Sequence, residues 1–474
     1  MDPISFPFAH DSDRTPLNAF SSICLTAAVL GVAFMAMAEA QEIPRPSMSR
    51  ARDGAAPLAR PYNLKLGPIA LTTSAGLGID FVDNLNLTSA DKSGDIIIRP
   101  SLAIQGVWQV TKLNNLELRT DLSYTKYVDH PDLDSQSALI SPDSEIRLNV
   151  FIGDVKLILH EQFSVQEDPV PDGTLSGVAK FGRVTNTIGI TALWDLNDVV
   201  WSLGYDHYNL ITTGNTATTN GSLNSNLSVL DRSTDQISSA VSLKFGPTTA
   251  VGLEGTAAFT AYPKNSRADS SNFSLGPYLD MQLTRYTHIT LGVGYQLYQS
   301  EGEGEPTTQP EFLTASGITG VSVINEVGNN SPSGNRRQTS DGSGYYANLS
   351  LVHRLNSNYQ DRLSIGREFQ VGLLSDRSET TYIRYSSVWA FSRRLSLSTA
   401  IAYEDIRQTS QFSNNFGGAS LSDYRYFSAF FSTSYQVTKK MSVSLSYQHT
   451  QRLSDQATQE YTQNRIAVQF GYQF

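Results

Sequence analysis

Seven charged residues of both signs recur in the first third of the 474-residue chain, either two positions apart or on neighbouring segments: Arg99, Glu117, Arg119, Asp121, Glu145, Arg147 and Lys156. Residues two apart share one face of an extended chain, so these side chains gather on one wall, where opposite charges face one another across adjacent strands. Such a stripe can do two things. It can neutralise charges turned inward, which is a structural role, or it can set up a field that orders water and guides an anionic or hydroxyl-rich cargo. The mixture of signs argues against simple anion selectivity. Tyr278, Tyr298 and Tyr382 occupy the same polar parity further along, with Ser238, Ser242, Thr256, Gln282, Gln296, Asn348, Gln448 and Gln463. Hydroxyls and amides donate and accept hydrogen bonds, so this wall suits water, sugars or any small polar solute.

Enzyme chemistry finds no foothold. His130, His160, His207, His288, His353 and His449 are scattered, without metal-ligand spacing on one strand face. No G-x-S-x-G, Walker A or H-E-x-x-H motif occurs. Cys24 is the single cysteine, so intramolecular disulfides and multi-cysteine metal sites are excluded. The sequence predicts neither catalysis nor a cofactor. A net charge of −10 also argues against a sequence-independent grip on nucleic acid.

The elements that must carry these side chains are strands. The chain is 40% apolar, 10% aromatic and only 17% charged, with 34 Gly, 22 Tyr and 21 Phe, a strand-and-turn vocabulary. From Tyr62 onward apolar and polar residues alternate. Leu116, Leu118, Thr120, Leu122 and Tyr124 share one face, and Glu117, Arg119, Asp121, Ser123 and Thr125 the other; Ile237 to Phe245, Val251 to Phe259 and Ile289 to Leu297 repeat the pattern. Brief links such as 113–115, 195–198, 246–248, 286–288, 392–394 and 438–440 alternate with long polar ones such as 86–94, 129–141, 166–182, 212–235, 263–272, 301–343 and 409–423. Short link then long link is the pattern of an all-β, antiparallel, up-and-down transmembrane barrel.

Counting predicts about 18 strands, with 16 to 20 compatible, including strands at 116–128, 142–151, 155–165, 199–211 and 361–373. The divisions that the pattern defines least sharply are the split at Ile152 to Asp154 and the strand at 361–373, where Arg367 on the apolar parity suggests a bulge. An even number puts both chain ends on the periplasmic side, and 18 strands close into a ring roughly 35 Å across, too wide for side chains to fill. The soluble rival, a set of β-sandwiches, would use strands of about five or six residues, shorter than those here. Trp108, Trp194, Trp201, Tyr205, Trp389 and Phe391 lie near strand ends, where aromatic girdles form, and most of the tryptophans are expected to face lipid. The 301–343 link is long enough to be a constriction, a lid or a disordered segment.

Residues 1–40 read as a signal peptide: Ile23 to Ala38 is uncharged and ends in overlapping small-x-small sites before Glu39 and Gln41. A membrane anchor is the alternative, although the apolar run is short for one. Residues 41–61, with Pro44, Pro46, Pro57 and several arginines, read as a flexible periplasmic lead-in or a basic docking arm, and 62–474 as the barrel.

Ile466, Val468, Phe470, Tyr472 and Phe474 alternate with polar or small residues to the last position. This resembles the C-terminal signal that outer-membrane barrels present to the insertion machinery, with Phe470, Tyr472 and Phe474 as the signal. Leu66-Gly67-Pro68, Gly78-Ile79-Asp80-Phe81-Val82-Asp83-Asn84, Trp194-Asp195-Leu196-Asn197, Gly204-Tyr205-Asp206-His207-Tyr208 and Ala261-Tyr262-Pro263 together resemble the β-barrel porin type 2 group of bacterial outer-membrane proteins. That resemblance implies a location in the outer membrane lipid and, since some members accompany exopolysaccharide secretion, a passive conduit for polysaccharide export working with periplasmic partners. A diffusion porin for small polar solutes, general or selective, is the first alternative. A plugged barrel with a surface-binding or anchoring role is the second.

Overall fold

The structure is a computed structural model and describes residues 62–170, 178–218, 221–222, 227–264, 268–301, 342–372, 375, 377–409 and 423–474. The expectations for the signal peptide, the lead-in and most of the 301–343 link fall outside these residues.

Eighteen long strands follow one another around a closed antiparallel wall. They are β1 (Ile69–Val82), β2 (Asp95–Gln109), β3 (Asn115–Ser123), β4 (Glu145–Ile152), β5 (Val155–Gln166), β6 (Lys180–Asp195), β7 (Val199–Thr218), β8 (Arg232–Lys244), β9 (Thr249–Ala261), β10 (Asp269–Thr284), β11 (Thr287–Glu301), β12 (Gly342–Asn356), β13 (Tyr359–Gln370), β14 (Arg377–Ala390), β15 (Leu395–Thr409), β16 (Tyr424–Gln436), β17 (Met441–Ser454) and β18 (Tyr461–Gln473). Each pairs with the next, and β1 closes the ring by pairing with β18 from Ser74↔Gln473 to Val82↔Arg465. Closure matters because a bilayer offers no water to satisfy a free strand edge.

The period of two sorts the side chains. Leu253, Ile237, Leu297 and Ile466 lie exposed on the outer face, while their neighbours Glu254, Ser238, Gln296 and Arg465 turn to the other side. Instead of a central packed core there is a small one under the long outer links, made by Val82, Leu85, Ile97, Tyr127, Leu133 and Ala179. All four tryptophans are on the outer face at the short-turn end, with the Trp194 and Trp201 rings 6.3 Å apart and tilted by 30°, and Trp389 edge-on to Phe391 at 5.0 Å. Phe470, Tyr472 and Phe474 also face outward, with Tyr472 and Phe474 edge-to-face at 5.4 Å.

Several boundaries differ from the expectation. Strand β3 stops at Ser123, and the rest of the 116–128 segment becomes a two-residue strand, Lys126–Tyr127, that pairs back on β2. Strand β7 runs on to Thr218: its ladder with β6 shifts register between Thr212 and Thr216 and resumes at Thr216↔Phe181, and Ala217 pairs with Ser222. The division at residue 152 is a real turn, closed by Ile152↔Val155. Arg367 makes no bulge: pairing with β14 is unbroken from Tyr359↔Trp389 to Gln370↔Ser378, and the arginine lies exposed on the outer face.

Candidate functional site: an arginine-lined chamber in the lumen

The charged stripe expected on β3 and β4 is assembled, with a different pairing. The register sets Glu117 opposite Arg147 and Arg119 opposite Glu145, as anticipated. The ionic contacts nevertheless run along the strands. Arg147 grips Glu145 two residues away, with Nη2 at 2.7 and 2.9 Å from the two carboxylate oxygens. Arg119 lies 4.0 Å from Asp121 and 3.9 Å from Asp143 in the following link. Glu117 accepts from the Asn115 side chain at 2.9 Å, and Lys156 lies over the Phe151 ring at 5.7 Å.

Tyr278, Tyr298 and Tyr382 are on the inward parity but dispersed over β10, β11 and β14. They do not form an aromatic track. Tyr382 covers Gly366 of the preceding strand, where a Cβ would come within 2.6 Å of its hydroxyl; Tyr278 covers Gly252 in the same way. The glycines form slots that hold the rings against the wall.

A second charge cluster lies at the closing seam. Asp80, buried on β1, accepts from Arg99 of β2 at 3.1 Å and from Arg465 of β18 on its other side. Two guanidinium groups therefore share one carboxylate. Across the interior, Arg384 of β14 is held by Glu404 at 2.8 Å and stacks on Tyr382 at 4.2 Å. Arg99, Arg384 and Arg465, with Arg183 of β6, line a cavity of about 450 Å³ that Tyr127, Tyr426 and Tyr461 also border. Burial pushes the Tyr127 phenol above its ordinary range, with the Arg99 guanidinium opposing, so it remains a neutral hydroxyl.

The links between the outer strand ends fold inward to make this chamber. Asp95 at the start of β2 accepts the N–H groups of Ile96 at 2.6 Å, Val128 at 3.1 Å, Asp129 at 3.0 Å and His130 at 3.0 Å, which ties down the 124–144 link. The His130 ring bridges Asp95 and the Ser93 hydroxyl at 2.9 Å each. That order of groups is also the order in a hydrolase triad. However, the Ser93 N–H, which a hydrolase would turn toward an oxyanion, is held by Asn86 Oδ1 at 3.4 Å, and Asp95 is engaged by loop amides. The group is a clasp. Lys180 adds a second fastening, 3.2 Å from Glu167 and donating to the Asp134 carbonyl at 2.6 Å.

The end of β13 and the link after it are pinned from further away. Gln296 of β11 donates to the Phe369 carbonyl at 3.0 Å, and Arg232 of β8 donates to the Gly372 carbonyl at 2.9 Å. A smaller cavity of about 290 Å³ lies at the short-turn end beside Lys156, Lys244 and Asp280.

Of the charged and tyrosine pore-lining residues expected from sequence, Arg99 alone borders the larger chamber, where it is joined by Gln448 and Gln463 of the expected polar wall. Asp80, Arg183, Arg384 and Arg465 escaped notice as a group. Their inward parity was readable, for instance from Arg465 beside Ile466, but not that the closing seam and the inward links would bring them together.

No family model and no curated protein matches the sequence. Among solved structures, OccK5 (OpdH) of Pseudomonas aeruginosa is 11% identical, with 85% of this chain and 98% of that chain covered and a TM-score of 0.40. OccK2 (OpdF) of the same organism, in complex with glucuronate, is 9% identical over 85% and 98%, with a TM-score of 0.43. A BenF-like porin from Pseudomonas fluorescens Pf-5 is 10% identical over 85% and 99%, with a TM-score of 0.43. These likenesses are distant. The closed wall, its outward apolar ranks and its polar interior make this chain an eighteen-stranded transmembrane β-barrel of the bacterial outer membrane.

Proposed function

We propose that the barrel is a diffusion channel for small polar solutes, with Arg99 and Arg465 as the contact that favours solutes bearing a carboxylate. The observation that carries this reading is the inward fastening of outer links at Asp95, Lys180 and Arg232, beside a chamber of about 450 Å³ in the interior. That is the size of a site for one small molecule, which lies between about 300 and 1,000 Å³. A polysaccharide in transit needs a wider continuous bore, so the geometry favours the small-solute alternative over the export conduit implied by resemblance. Most arginines of the chamber are matched by a carboxylate, and the surplus lies at the Asp80 pair, so a weak preference for anions is expected on a mainly neutral, hydrogen-bonding wall.

On this reading Glu117, Arg119, Asp121, Glu145, Arg147 and Lys156 line the route below the chamber, Tyr278, Tyr298 and Tyr382 smooth its wall, and no catalytic step is involved. Phe470, Tyr472 and Phe474 present the assembly signal to the insertion machinery. Reconstitution into planar bilayers tests the channel: discrete conductance steps are expected, and their absence in folded, inserted protein overturns it. Deletion of the gene with assay of surface polysaccharide tests the export reading, and unchanged polymer is the outcome expected here.

A further inference from the structure

The seam between β1 and β18 is the one pairing in the wall that no link enforces. All other neighbours are consecutive strands, whereas these two come from opposite ends of the barrel sequence, and their ladder runs from Ser74↔Gln473 to Val82↔Arg465. Alternation fixes which face each side chain takes, because a shift of one residue would turn every apolar side chain inward. A shift of two preserves the facing. Phe470, Tyr472 and Phe474 would still look outward, so the pattern of the sequence does not choose between registers two residues apart.

The edge of β1 below Ser74 is already occupied. Leu64–Leu66 forms a short strand that folds back through Gly67 and Pro68, with Gly67 at φ 59°, and pairs antiparallel with the start of β1 as Leu64↔Leu71, Lys65↔Ala70 and Leu66↔Ile69. The Asn63 N–H donates to the Leu71 carbonyl at 3.0 Å. The Asn63 side chain then stands where a further residue of β18 would pair: Nδ2 donates to the Thr73 carbonyl at 2.7 Å, and Oδ1 accepts the Thr73 N–H at 3.1 Å. Phe474 reaches only the shared Thr73 carbonyl, to which its N–H donates at 3.2 Å. Thr73 is thus the point at which β1 changes partner.

The outer end of the seam is fastened differently. Asp83 accepts from the Asn464 N–H and from its side-chain amide at 2.7 Å each, and Gln463 donates to the Asn84 carbonyl at 2.6 Å. These bonds resist a slide in either direction. The hairpin blocks one direction only, since β18 cannot move toward the short-turn end without displacing Asn63.

We propose that residues 63–66 are a register stop that sets where β18 docks on β1 and so fixes the stagger of the closed barrel. Stagger, strand tilt and diameter are linked in a closed wall, so a slide of two residues at the seam alters the bore as a whole. The hairpin joins residues close in sequence and closes at little entropic cost, which puts it in place before β18 arrives from the far end of the chain. Asn63 is a positioning residue: it acts on the bore through β18 and touches no solute. The inference is independent of what passes through the lumen.

Disulfide trapping in the full-length barrel tests it, with Cys24→Ser to remove the native thiol. Directly opposed residues lie about 4.5–5.5 Å apart between Cα atoms, within reach of a disulfide, whereas residues displaced by two lie about 7–8 Å apart and beyond it. Ser74→Cys with Gln473→Cys therefore reports the native register, Thr72→Cys with Gln473→Cys a slide of two toward the short-turn end, and Val82→Cys with Ala467→Cys the opposite slide. With the hairpin intact, only the native pair should oxidise efficiently. Asn63→Ala, and separately Leu64→Pro with Lys65→Pro to break the hairpin, should raise the 72–473 product at least about fivefold, the order expected for a lost hydrogen bond. The 82–467 product should not change, and bilayer recordings of the trapped, slid barrel should show a conductance different from wild type. If the proline variant does not assemble, Asn63→Ala decides alone. A 72–473 product at the wild-type level in Asn63→Ala overturns the stop. An equal rise of the 72–473 and 82–467 products overturns it as well, because that is a loosened seam and not the loss of a one-way block.

Discussion

Arg232 of β8 donates a hydrogen bond to the carbonyl oxygen of Gly372, 2.9 Å away and 140 residues later, in the link that follows β13. Five strands of wall separate the two, so the bond exists only because that link dips across the interior. The width of the channel is thus set by a contact between distant parts of the wall as well as by strand number.

Replacing Arg232 by Ala removes a charge-assisted hydrogen bond worth about 1.5–3 kcal/mol, which is a factor of ten or more in the population of the inward link. Single-channel recordings should show a higher and noisier conductance than wild type. Unchanged steps would mean that the link is held elsewhere.

The Asp95 clasp should behave in the same way for the 124–144 link. Asp95→Asn keeps the volume but weakens three backbone contacts to the link and the His130 bond, at a cost of about 1–3 kcal/mol. Proteinase K added to whole cells should cleave near residues 129–138 in the variant and spare the wild type, while the barrel keeps its heat-modifiable mobility.

How far the fold could be read before the structure follows from which interactions are local. Alternation at 251–259 or 289–297 is a property of each strand alone, so strand identity, facing and most tight turns were legible. Arg367 misled the reading because an outward arginine breaks the apolar parity without disturbing the register. The chamber was not legible. Arg99, Arg384 and Arg465 come from strands at opposite ends of the chain, and ring closure and inward links bring them together.

At the seam, Asp80→Asn leaves two guanidinium groups facing a neutral amide, so reversal potentials in a salt gradient should move toward anion selectivity. Arg99→Glu with Arg465→Glu should move them the other way. No shift in either variant would reduce Arg99 and Arg465 to wall struts.

The slot at Gly366 predicts a narrowing. A Cβ there comes within 2.6 Å of the Tyr382 hydroxyl and 2.9 Å of the Ala347 carbonyl oxygen, so Gly366→Val displaces the ring and strains the strand beside it. Overpacking of this kind costs about 1–3 kcal/mol and should lower conductance, and Tyr382→Ala in the same chain should restore it in part.

The central claim is a water-filled barrel whose inward links admit only small polar solutes, and liposome swelling with sugars of graded size tests it most directly. The account predicts rapid swelling with monosaccharides, a steep fall through di- and trisaccharides, and none with longer oligomers. Swelling rates independent of size, or no swelling even with the smallest sugar, would contradict it.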